Sequence, residues 1–226
     1  MYTEGYREQE GKRVTTEKIE VFTQSSIRIT DGDRRIYIDP FQMRETPKDA
    51  DFILITHDHY DHFSPEDIEK VSNGKSVLVV PAKMLPQAEE ISSIVGEIHS
   101  VMPGEHYGIS GLKFDTVAAY NNLKPFHPKS AGWVGYILQI DGQRIYIAGD
   151  TDMNRDNRDV KCDIALVPIG GTYTMDAKKA AEFINTIRPS VAIPTHYGSI
   201  VGKKEDADIF AADVKAPIRT EIKMLY

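Results

Sequence analysis

The chain of 226 residues is predicted to be an α/β protein with helices outside two packed β-sheets. Strand-like and helix-like segments alternate in both halves, and the second half echoes the first. Arg35-Ile36-Tyr37-Ile38-Asp39-Pro40 resembles Arg144-Ile145-Tyr146-Ile147-Ala148-Gly149-Asp150. Each is followed after a similar interval by an acid-led apolar strand, Asp51 to Ile55 and then Asp163 to Val167. Such spacing suggests a duplicated β-α half, the halves facing each other across a shared site. The plain alternative is a chance likeness between two β-rich hairpins.

Taken in order, residues 1–17 are polar and without periodicity, as expected of a loosely held tail, and 18–226 form a single domain. Ile19 to Phe22, Ser26 to Ile29 and Arg35 to Ile38 carry the alternation or β-branched richness of strands, with Asp31-Gly32-Asp33 as a turn. Phe52 to Ile55 is a fourth strand. Ser64-Pro65-Glu66-Asp67 starts a helix: a capping serine, proline at the first helical position and acids in the first turn. Further strands are expected at Val77 to Val80, Leu112 to Ala119, Trp133 to Ile140, Arg144 to Ala148, Ile164 to Val167 and Val191 to Ile193. Asp176 caps a helix with Ala177, Ala180, Ile184 and Ile187 on one face, and Pro189 stops it. No linker separates the halves.

Composition narrows the function. With 41% hydrophobic and 27% charged residues the chain can build a sizeable core. A net charge of −7 disfavours a nucleic-acid backbone as partner, which demands a basic surface. The lone Cys162 fits a reducing compartment. No apolar run is long enough to span a bilayer, and residues 1–7 lack the hydrophobic segment of a secretory signal. A soluble, cytoplasmic protein acting on a small molecule, without membrane or nucleic acid, is expected; the oligomeric state has no signature in the sequence.

The strand Phe52 to Ile55 runs into Thr56-His57-Asp58-His59-Tyr60-Asp61-His62. Three of seven histidines and two carboxylates thus fall within six residues. In an extended segment His57, His59 and Asp61 share one face, while His62 is displaced toward a second centre. Imidazole with carboxylate suits zinc, one or two ions, or manganese where oxygen ligands dominate. Asp150 after a glycine and His196 at the end of the strand Val191 to Ile193 read as ordinary polar residues when taken singly. Beside the cluster they are the carboxylate and histidine that a second ion needs.

With these residues in place the chain resembles the metallo-β-lactamase superfamily of hydrolases, from about Ile19 to Tyr197. The likeness rests on Asp39 after a long strand, the cluster Thr56 to His62, Ala148-Gly149-Asp150-Thr151 and His196. It implies an αββα four-layer sandwich with metals at one edge of the sheets. It also implies His57 and His59 at a first metal, Asp61, His62 and His196 at a second, Asp150 as bridge, and Asp39 supporting the cluster from behind. One element departs from the family pattern. Tyr120-Asn121 stands where a third first-metal histidine is normally found. Either that metal is held weakly, or Asn121 donates an oxygen, or His127 reaches in from the loop stiffened by Pro125 and Pro128. His127 is therefore a candidate ligand or substrate contact, and an ordinary surface residue on the other reading. His99 and His106 are expected at the surface.

The chemistry expected is a metal-activated hydroxide attacking a carbonyl or phosphoryl centre, with Asp61 as ligand and proton acceptor and Asp39 in support. His196, Tyr120, Asn121 or Lys129 could contact the oxyanion or an anionic group. Gly170-Gly171 either admits substrate or makes a turn. The short plan looks most like hydrolases near the ascorbate-6-phosphate lactonases, implying a small, anionic ester, lactone or phosphodiester. The competing classes are a degenerate metal-binding protein, supported by the missing histidine, and a diiron redox protein. The diiron branch usually has glutamate where this chain has His59.

Overall fold

Alternate apolar residues along the strands build the interior from two sides at once. In the first half Ile27, Ile29, Ile36, Ile38, Phe52, Leu54, Val77 and Val79 enter one core, while Tyr37, Ile53, Ile55, Leu78 and Val80 enter another. In the second half Ile145, Ile147, Ile164, Leu166, Val191 and Ile193 join the first core, and Tyr146, Ala148, Ala165, Val167 and Ala192 face a third. Strands buried on both faces read as continuous apolar runs, which is why these segments look so hydrophobic. Each fully buried Ile or Leu contributes about 1.5–3 kcal/mol over an exposed one.

The computed structural model describes residues 14–226. Its first sheet runs β1 (Ile19–Val21), β2 (Ile27–Asp31), β3 (Arg34–Ile38), β4 (Ala50–Leu54), β5 (Ser72–Pro81) and β6 (Glu97–Val101) in spatial order. The second orders β7 (His106–Ile109), β8 (Leu112–Ala118), β9 (Val134–Ile140), β10 (Gln143–Ile147), β11 (Ile164–Pro168), β12 (Val191–Thr195) and β13 (Arg219–Thr220). Both sheets begin antiparallel and turn parallel, from β3 onward and from β10 onward. The inter-sheet core lies between them. Helices α1 (Pro65–Val71) and α2 (Leu85–Glu89) cover the first sheet, and α3 (Ala177–Ile187) and α4 (Asp206–Asp213) the second. This is the four-layer αββα sandwich expected from the sequence.

The echo has a structural counterpart. β3 pairs in parallel with β4, and β10 with β11. Asp51 accepts the backbone N–H of Arg35 at 2.7 Å, and Asp163 that of Arg144 at 2.7 Å. In each half the leading acid fixes the register of a parallel pair at its start. The caps follow the sequence too: Ser64 accepts from Asp67 N, and Asp176 from Lys179 N.

Several elements were not anticipated. β6, β7 and β13 are edge or near-edge strands with polar or half-exposed residues, and α2 and α4 are short. Of the expected tail, residues 1–13 lie outside the described residues. Thr15 N–H donates to Gln143 Oε1 at 2.9 Å, and Thr16 is bonded to Glu221. Among the described residues no helix is long and apolar enough to cross a membrane.

Candidate metal centre

Parallel strands end together, so whatever follows their C-terminal ends meets at one rim of the sandwich. Asp39 follows β3, Thr56 to His62 follow β4, Asp150 follows β10 and His196 follows β12. The loop after β8 adds Asn121 and His127, closed by a bond from Asn121 N–H to His127 O of 2.8 Å. Two close approaches make the meeting possible. Gly149 lies against Thr56 and Val134 with φ of +65°, and a Cβ there would sit 3.1 Å from Thr56 Cβ. At Gly170 a Cβ would come within 2.4 Å of His196 O, so this glycine makes room for His196; Gly171, at φ +82°, takes the turn.

The cluster after β4 is not extended as its alternation suggests. His62 N–H and Phe63 N–H both donate to His59 O, at 2.9 and 2.8 Å, closing a turn. That turn splits the cluster between two sites. His57, His59 and His127 form one group whose candidate ligand atoms lie within 4.8 Å of one another, and Asp61, His62 and His196 form another. Asp150 stands between them. Its Oδ2 lies 3.3 Å from both His127 Nε2 and His196 Nε2, and its Oδ1 3.5 Å from His62 Nε2. Asp61 Oδ2 is 3.3 Å from His196 Nε2.

Behind the histidines sits Asp39, fully buried. It accepts Thr56 N–H at 2.8 Å, the Thr56 hydroxyl at 2.6 Å and His62 Nδ1–H at 2.7 Å. The Thr56 oxygen in turn lies 2.9 Å from His57 Nδ1. One carboxylate thereby favours protons on Nδ1 of both His57 and His62, making Nε2 the atom each ring would offer to a metal. Asp39 and His196 hold left-handed backbones, φ 45° and 56°, an expense found where surrounding structure fixes a functional residue.

Charge differs across the site. Burial, then His62, keeps His57 well below its ordinary pKa, and burial with His127 lowers His59. Burial also opposes a charge on His62, but Asp150 and Asp39 outweigh it and hold its pKa up at about 9. Asp150 stays ionised far below the usual carboxylate range: burial would raise it, yet His196 and His62 prevail. Asp61 is lowered in the same way, against its burial, by His196 and His62.

The donor set fits a metal on one further observation. His62 Nε2, His127 Nε2, His196 Nε2 and Asp150 Oδ1 are buried with no hydrogen-bond partner. Unpaired buried polar atoms are costly, and these four converge on the two groups. Asn121 Nδ2 lies 3.1 Å from His127 Nδ1 and donates to Tyr173 O at 2.7 Å, which ties the loop to residue 173; Asn121 Oδ1 is buried without a hydrogen-bond partner. The Tyr120 ring lies 5.0 Å beneath the Lys129 ammonium, and Lys129 pairs with Asp156. His106 is exposed and pairs with Asp115, and His99 pairs with Glu97. The sequence reading missed Thr56 as a relay and Trp133, whose ring lies 5.0 Å from those of His57 and His59 and 5.4 Å from that of His127. As the only tryptophan, beginning a strand, Trp133 was the available signal.

Known proteins resemble this chain in sequence and in fold. Residues 18–196 match the family model of the beta-lactamase superfamily domain. A UPF0173 metal-dependent hydrolase of Thermoplasma acidophilum is 32% identical over 192 residues, covering 80% of this chain and 84% of the relative. A solved structure from Parabacteroides distasonis superposes with a TM-score of 0.76 at 28% identity, over 92% of this chain and 93% of the other. A metallo hydrolase of Ignicoccus hospitalis gives 0.75 at 20% identity, over 91% and 94%, a likeness of fold alone.

Proposed function

Since this chain belongs to the beta-lactamase superfamily, among its UPF0173 metal-dependent hydrolases, we propose that it cleaves a small ester, lactone or phosphodiester at a two-ion centre. His57, His59 and His127 would hold the first ion, Asp61, His62 and His196 the second, with Asp150 between them. The observation that carries this is Asp150 reaching both groups with two oxygens, next to histidine nitrogens that are buried and unpaired. Imidazole-rich sites of this kind suit zinc, with manganese next.

Ions held there by these residues would supply hydroxide near neutral pH and stabilise a developing oxyanion. The water oxygen bonds to the acyl carbon or phosphorus, the C–O or P–O bond to the leaving group breaks, and the leaving oxygen takes up a proton. Asp61 turns Oδ2 toward His62 and His196, which leaves Oδ1 to receive the proton of the attacking water. Trp133 covers the His57, His59 and His127 rings and excludes bulk water from that side. Asp39, through Thr56 and His62, orients the ligands without touching substrate.

The test is hydrolysis of simple lactones, carboxylic esters and phosphodiesters by protein stripped with a chelator and reloaded with zinc or manganese. Turnover should vanish on stripping and return on loading. Turnover that is indifferent to the chelator would refute the reading.

A further inference from the structure

Every aromatic side chain among the described residues is buried or half-buried except three: Tyr60 at 66% exposure, Phe126 at 45% and Tyr173 at 37%. All three belong to the candidate metal centre. Tyr60 lies between His59 and Asp61, Phe126 precedes His127, and the Tyr173 carbonyl holds Asn121. Two of them touch, and the third flanks the same histidine group. The rings of Phe126 and Tyr173 meet edge to face with centroids 4.8 Å apart, and Tyr60 packs edge-on against Phe41 at 6.0 Å. Tyr60 follows His59, whose ring lies 4.9 Å from that of His127, the residue after Phe126. Large apolar surface left open to water carries a cost, and its concentration at one mouth marks a binding surface.

The two lysines beside the Phe126–His127 loop are already engaged. Lys124 donates to the carbonyls of Gly171 and Thr174 and lies 3.8 Å from Asp152. Lys129 pairs with Asp156 and stands over the Tyr120 ring. Near the rings, then, what is on offer is π-faces and apolar edges, suited to a flat uncharged group.

We infer that Tyr60, Phe126 and Tyr173 form a subsite that grips an uncharged aromatic group attached beside the bond cleaved, making the preferred substrate an aryl-bearing carboxylic ester or lactone. This rests on the hydrolase reading above and narrows it, away from the small anion suggested by the sequence.

Phenylacetone and acetone separate the two ideas, since they share a carbonyl, differ by one ring and cannot be hydrolysed. On the zinc-loaded protein, ligand-observed NMR should find phenylacetone bound at least about tenfold more tightly than acetone, with saturation passing to its ring. Tyr60→Ala with Phe126→Ala should remove that preference, whereas Ile209→Ala, an exposed apolar residue on α4, should leave it. Methyl phenylacetate should likewise show a KM about tenfold below that of methyl acetate. Equal binding of the two ketones, or a preference that survives the double substitution, would overturn the subsite. Hydrolysis of both esters with equal KM would also overturn it while leaving the hydrolase reading intact. A ring preference without hydrolysis of either ester would support the subsite and count against the hydrolase reading.

Discussion

The two triads face each other across Asp150 and are built on opposite electrostatic plans. His57, His59 and His127 are three imidazoles packed under Trp133, and burial suppresses the charge on His57 and His59. Asp61, His62 and His196 form an ion-paired group, in which His62 carries a proton up to about pH 9 because Asp150 and Asp39 flank it. In the first, burial holds His57 and His59 uncharged; in the second, ion pairs neutralise the group from within. An ion entering the second must replace the proton on His62, for which His57 and His59 have no counterpart.

The change that breaks both plans at once should have the largest effect. Asp150→Ala is expected to lower turnover on the order of 10³ or more, and mass spectrometry of the purified variant should find both ions depleted. Loss of only one ion would show that Asp150 does not bridge. Asp61→Ala touches the second triad alone, removing the proposed ligand and proton acceptor, so turnover should fall on the order of 10² or more. Undiminished turnover would remove Asp61 from the mechanism.

His127→Ala should spare the second triad, so that calorimetric titration finds one ion in place of two. Two ions bound with parental affinity would mean that the first site is complete without His127. Asp39→Asn should weaken both sites about 10- to 100-fold, since Asp39 reaches His62 directly and His57 through Thr56. An effect confined to one site would separate the two relays. The finest discrimination is in protons. His62 is raised from its ordinary 6.5 to about 9, so it is protonated through neutral pH and must release that proton on ligation. In His127→Ala, zinc binding should release about one proton near pH 7.5 and tighten as pH climbs toward about 9. In His196→Ala, which leaves the first triad, release should be far smaller because His57 is already neutral. Calorimetry in two buffers of different ionisation heat reads the difference, and equal release in both variants would erase the contrast drawn above.

Much of this was legible because strands buried on both faces announce themselves as apolar runs and hand their C-terminal ends to one edge. Asp39, Asp150, His196 and the cluster at 57–62 could be picked out by position for that reason. The internal division of the cluster was implied by the family resemblance but was not legible from periodicity. Period-two alternation assigns His57, His59 and Asp61 to one face, but the turn closed on the His59 carbonyl sends Asp61 toward His196 instead. His127 stood among open alternatives because a loop residue has no periodicity to place it. What draws it in is the backbone bond to Asn121, together with Lys124 and Asn121 tying the loop to residues 171–174. The edge strands β6 and β7 escaped notice because half-exposed positions dilute their pattern.

That same short loop sets a condition on how such an enzyme can change. Phe126 and His127 are adjacent, and the segment carrying them is closed at its base by a single backbone hydrogen bond. A lineage that lengthened or rewrote these residues to accept a new substrate would shift the neighbouring imidazole in the same step. Variation in selectivity is therefore expected to accumulate at Tyr173, whose exposed ring can be exchanged without touching a residue next to a proposed ligand. Mutational libraries confined to that position should yield a larger share of metal-competent variants than libraries at 122–126.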